Sequence, residues 1–114
     1  MKYKEDNLQK AVAKYLDLKK FLWCHVANER KTSMQAGKRL KLKGVKSGVP
    51  DVLIFENSSI YNGLAIELKI KPNYTSENQK EWLKNLSNKG WKTEVCYNFD
   101  EVLKVVEEYE SYIL

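Results

Sequence analysis

The chain is expected to fold as a single α/β domain with its elements in the order α, β, β, β, α, β, α. Three observations predict this. Apolar residues recur at helical three- and four-residue intervals in three separate segments. Four short runs carry β-forming or continuously apolar residues bounded by turn residues. The 114 residues suffice for one hydrophobic core and not for two.

The first helix is read over residues 5–20, where Leu8, Val12, Tyr15, Leu16 and the aliphatic stem of Lys19 share a face. Residues 21–27 have no helical period and read as a strand leading into Asn28, Glu29 and Arg30. Residues 32–50 combine Gly37, Gly44, Gly48 and Pro50 with many lysines, which predicts a long connection with at most short ordered pieces. Residues 51–55 and 63–70 are apolar strands joined by a short polar turn, hence an antiparallel pair. Pro72 stops the third strand, and Thr75 or Ser76 caps a helix that ends at Gly90 and buries Trp82, Leu83 and Leu86. Residues 91–97 form the fourth strand. A last helix from Phe99 to about Ser111 turns Val102, Leu103, Val105, Val106 and Tyr109 inward.

Composition narrows the function. No run approaches the ~18 uninterrupted apolar residues of a membrane span, and the charged N-terminal residues do not resemble a signal peptide, so a cytoplasmic protein is expected. Cys24 and Cys96 have no Cys or His at metal-ligand spacing and read as buried strand thiols. Net charge is +5, yet Arg30, Lys31, Lys38, Arg39, Lys41, Lys43 and Lys46 fall in one stretch without an acid, so the remainder of the chain is net acidic. A patch of this kind concentrates a polyanion and exchanges its counterions for Lys and Arg, which suits nucleic acid. A solvated, solubilising loop is the plainer alternative.

Asp51 is followed 16 residues later by Glu67-Leu68-Lys69. On a strand, Glu67 and Lys69 project from one face while Leu68 points to the other. Asp51 opens the neighbouring antiparallel strand, so its carboxylate can meet Glu67 around one divalent cation, the hard-oxygen set that Mg²⁺ prefers. A metal so held activates water and polarises a phosphate, with Lys69 positioning the water and offsetting charge on the phosphorane. A surface salt bridge on a half-exposed strand would give the same Glu-x-Lys pattern. What separates the two is context: Gly48-Val49-Pro50-Asp51 before one strand, Glu-x-Lys on the next, and a Ser-x-x-Gln start to the following helix.

With those segments in place the sequence resembles the VRR-NUC branch of the PD-(D/E)XK nucleases. The matching stretches are His25-Val26-Ala27-Asn28-Glu29, Gly44 through Val52, Gly63 through Lys69, and Thr75-Ser76-Glu77-Asn78-Gln79. The chain departs at Ala27, where family members often carry Pro. The resemblance implies a mixed four-stranded sheet flanked by helices. It also implies metal-dependent cleavage of DNA, branched DNA such as four-way junctions in the stand-alone phage and bacterial forms, acting as homodimers without a small-molecule cofactor. By the same resemblance Asp51, Glu67 and the Leu68 carbonyl ligate Mg²⁺ or Mn²⁺, and Lys69 is the catalytic lysine. Glu5 supports the metal site and Gln79 acts from the next helix. Glu5 reads equally as an acid at a helix N-terminus; for Gln79 a solvent-facing amide is the lesser alternative to a site role. His25 reads as a satisfied strand residue, and Trp23, Trp82 and Trp91 as core or interface aromatics. Two other functions stay open: a non-catalytic nucleic-acid-binding module, and a general end-trimming or single-strand nuclease.

Overall fold

The computed structural model describes residues 4–27 and 33–113. Among these, helix α1 (Lys4–Leu18) leads into β1 (Trp23–His25), α2 (Met34–Leu42), β2 (Val52–Ile54), β3 (Leu64–Leu68), α3 (Glu77–Asn88), β4 (Lys92–Cys96) and α4 (Phe99–Glu110). The strands form one mixed sheet in the order β1-β2-β3-β4. Both β1 and β3 pair antiparallel with β2, as the short turn between β2 and β3 predicts, while β4 runs parallel to β3 after the α3 crossover.

Strand alternation sorts the sheet into two faces. Leu64, Ile66 and Leu68 of β3, with Val52 and Ile54 of β2, lie on one side and are 0–1% exposed. Against them pack Leu8, Val12 and Leu16 of α1 and Val102, Val106 and Tyr109 of α4, which completes the core. Tyr109 is fully inside, and its hydroxyl donates to the Glu56 carbonyl at 2.6 Å. Such a bond removes the cost of burying an unpaired phenol. Helix α3 packs on β4, and its Trp82, Leu83 and Leu86 are half-buried rather than enclosed.

Two expectations are corrected. The stretch after β1 is not a long irregular connection: it contains α2, so the order of the described elements is αβαββαβα. Glycine and lysine density hid a helix made largely of strong helix formers, Met34, Gln35, Ala36, Lys38, Arg39, Leu40 and Lys41. Ser33 caps it, its hydroxyl accepting from the Ala36 N–H at 3.1 Å. Gly44 at φ +98° ends it, and the Val45 N–H turns back to the Leu40 carbonyl. The second correction is Cys24, which is exposed, whereas Cys96 is buried. Among the described residues β1 is an edge strand, and Cys24 is exposed while Trp23 and His25, which point to the opposite face, are partly buried.

Candidate active site

Glu67 is the one charged residue in the buried interior of the described chain, 2% exposed. It lies in the middle of an otherwise apolar strand, Leu-Ala-Ile-Glu-Leu, on the face opposite Ile66 and Leu68. Its Oε1 is buried without a hydrogen-bond partner, which is costly for a polar atom. Lys69, two residues on and on the same face, brings Nζ to 3.7 Å from Oε2.

Asp51 immediately precedes β2. Extending the β2–β3 register by one residue sets it opposite Glu67, because Val52 pairs with Ile66. Three contacts hold it there. Its Oδ2 accepts from the Leu68 N–H at 2.8 Å, and its carbonyl accepts from the Val26 N–H at 2.9 Å. His25 Nδ1 also lies 2.8 Å from that carbonyl, so Nδ1 carries the proton. His25 is thus a positioning residue for Asp51, a role visible only once β1 is seen beside β2.

Burial, followed by the negative charge of Asp51, pushes the Glu67 carboxyl up to about 8, and the neighbouring Lys69 ammonium only partly opposes this. Two acids brought together in a low-dielectric site share the charge badly unless a cation joins them. The arrangement therefore fits a divalent metal: an orphaned carboxylate oxygen, a second carboxylate and an amine face one spot.

The other residues singled out from the sequence are more dispersed. Glu5 is exposed in the first turn of α1. No group of three His, Cys, Asp or Glu side chains gathers to hold a metal among the described residues. Gln79 is at the third position of α3, where its Oε1 accepts from the Ser76 N–H at 2.8 Å and the Ser76 hydroxyl accepts from the Gln79 N–H. The Ser-x-x-Gln signal is thus, first of all, a capping box. Lys38, Arg39 and Lys41 are exposed on α2, with Lys43 at its C-cap and Lys46 just beyond. Arg30 and Lys31, like Asn28 and Glu29, lie outside the described residues.

A mixed β-sheet with helices on its flanks, bearing an acid at the start of one strand and Glu-x-Lys on the next, defines the PD-(D/E)XK class of nuclease folds. The VRR-NUC domain matches residues 3–100, and the chain belongs to the VRR-NUC family. A solved structure of a VRR_NUC domain protein is similar throughout, with a TM-score of 0.73 and 27% sequence identity over 96% of this chain and 89% of that one. No curated protein matches the sequence at a significant level. The family implies nuclease chemistry with DNA as substrate. None of the described helices is long and apolar enough to cross a membrane.

Proposed function

We propose that the protein is a divalent-metal-dependent deoxyribonuclease that hydrolyses phosphodiester bonds in branched DNA, such as four-way junctions. The observation that carries the reading is the buried Glu67, its Oε1 unpartnered, beside Asp51 and Lys69. A fold does not retain a buried, incompletely compensated acid for stability, because an apolar residue of similar volume is usually at least as stabilising there.

Asp51, Glu67 and the Leu68 carbonyl would hold Mg²⁺ or Mn²⁺. The carbonyl of an extended residue leaves the strand on the same side as its N–H, which already meets Asp51. When bound, such an ion supplies Lewis acidity toward a phosphate oxygen and a lower pKa for water. Lys69 then acts through Nζ, orienting the attacking water and donating to the oxygens on which charge accumulates. Gln79 would contribute its amide nitrogen, since its oxygen is held by the cap. Glu5 would act through water rather than as a direct ligand.

Lys38, Arg39, Lys41, Lys43 and Lys46, with Arg30 and Lys31, would grip the phosphates. Such contacts fix position without reading sequence, so selectivity would come from DNA shape and from two sites on a homodimer.

The test is a labelled four-way junction incubated with Mg²⁺. We expect cleavage by the wild-type protein, and roughly 100-fold slower cleavage or less by Lys69→Ala. Equal rates for the two proteins would overturn the assignment. Titration with Mn²⁺ gives an independent readout: the binding heat should vanish in Asp51→Ala, and persistence of that heat argues against the proposed ligand pair.

A further inference from the structure

Beyond the acid pair, the described residues line an open cleft of about 330 Å³ between the end of α2, the following loop and α3. This volume lies within the ~300–1,000 Å³ of small-ligand sites. Trp82 lines it and keeps part of its side chain exposed. Lys41 comes from the last turn of α2 and Lys46 from the loop, and Val45 also lines the cleft.

The floor of the cleft is fixed. Asn78 Nδ2 donates to Ser47 Oγ at 2.7 Å, tying the loop to the first turn of α3. The next residue, Gly48, has φ +88° and runs so close to α3 that a Cβ there would lie 2.7 Å from the Asn78 carbonyl carbon. Asn78 and Trp82 are four residues apart, so they share the face of α3 that meets the loop. Ser47 precedes Asp51 by four residues, at most about 14 Å along the chain, so the cleft is a few nucleotides from the acid pair.

We propose that this cleft takes one unpaired nucleotide of the DNA substrate, its base against Trp82 and its flanking phosphates on Lys41 and Lys46. The inference rests on the reading of the protein as DNA-binding. An aromatic side chain and two cations lining one cleft are the elements that hold a single-stranded base, because every base has a π-face and every linkage a negative charge. Glu81, also in the lining, argues for a base over a bare phosphate: its carboxylate repels an anion but accepts an N–H from a base edge. Bases in a duplex are already stacked, so the cleft selects DNA in which a nucleotide is unpaired or opens out of its pair, as at a branch point or an end.

Binding is measured by fluorescence anisotropy in EDTA with three labelled probes: a short oligodeoxythymidine, an oligomer of equal length with central abasic sites, and a blunt duplex. We expect the wild-type protein to bind the thymidine oligomer about ten-fold more tightly than the abasic one. Trp82→Leu should remove that advantage and leave duplex binding within roughly two-fold, while Trp82→Phe should keep most of it. Equal wild-type affinity for the thymidine and abasic oligomers overturns the proposal, as does a Trp82→Leu variant that loses both DNA forms alike or neither. The abasic comparison and Trp82→Phe carry the test if Trp82→Leu misfolds. Cleavage with Mg²⁺ is scored separately. Trp82-dependent binding without any cleavage sinks the nuclease reading and supports the cleft; cleavage with binding indifferent to Trp82 sinks the cleft alone.

Discussion

Glu67 sets the behaviour of the site in the absence of metal. Its folded-state pKa of about 8 lies above the ordinary 4.5, so between those values the folded protein keeps a proton that the unfolded chain releases. Stability of the metal-free protein should therefore fall as pH rises from about 4.5 to about 8, by a few kcal/mol at most, since each unit is about 1.4 kcal/mol. Glu67→Gln keeps the shape and cannot ionise, so its stability should be flatter with pH and exceed the wild type's at pH 8. Urea denaturation at several pH values in EDTA checks this, and parallel curves for the two proteins would contradict it. Because a ligating carboxylate must lose its proton, added Mn²⁺ should raise the melting temperature more at pH 8 than at pH 6. The cysteines offer a second residue-scale check. Cys24 is exposed, whereas Cys96 is 1% exposed and burial pushes its thiol up to about 12. A thiol reagent should label one site quickly and the second only on unfolding; two fast sites would mean that β4 is not packed as described.

At the scale of elements, the loop joining α2 to β2 is built around Gly48, where positive φ and close approach to Asn78 coincide. Gly48→Ala meets both the steric penalty of the left-handed region and a backbone contact that cannot yield, and should cost about 1–3 kcal/mol. Asp51 follows three residues later, so cleavage should fall further than the lost stability alone would explain; calorimetry alongside a cleavage assay separates the two, and an unperturbed Gly48→Ala would show that the loop is not held by α3. Much of this was legible beforehand. The faces of α1 and α4, the β2–β3 pair and the side-by-side placement of Glu67 and Lys69 follow from periodicities of 3.6 and 2 that burial enforces. Helix α2 was not legible because glycine and lysines break up its apolar positions, none of which is buried. His25 and the Leu68 N–H, which hold Asp51, escaped for another reason: their contacts span 26 and 17 residues and exist only after strand pairing. Gln79 was legible as a signal, but the signal chiefly encodes a helix start.

Across the whole molecule, the structure separates a neutralised core from a basic appendage. The buried set is apolar apart from Glu67, and the described residues of the basic stretch, Lys38, Arg39, Lys41, Lys43 and Lys46, are all exposed on or just after a helix that contributes nothing to the core. Such a segment can be stripped of charge at little cost to folding, since surface changes away from packed or capped positions usually stay within ±0.5 kcal/mol. Its effect on DNA should be larger and of a particular form. Each phosphate contact releases condensed counterions and adds about 0.9 to the magnitude of the log–log salt slope. Replacing Lys38 and Arg39 together by alanine should therefore reduce that slope by about 2, and weaken binding to junction and linear duplex in equal proportion, because phosphate contacts carry no information about which DNA is bound. Affinities for both DNAs across a range of salt, with a melting curve for the variant, test the separation. A variant that loses preference for one DNA shape, or several kcal/mol of stability, would mean that Lys38 and Arg39 belong to the recognition surface or to the fold itself and are not an electrostatic handle beside them.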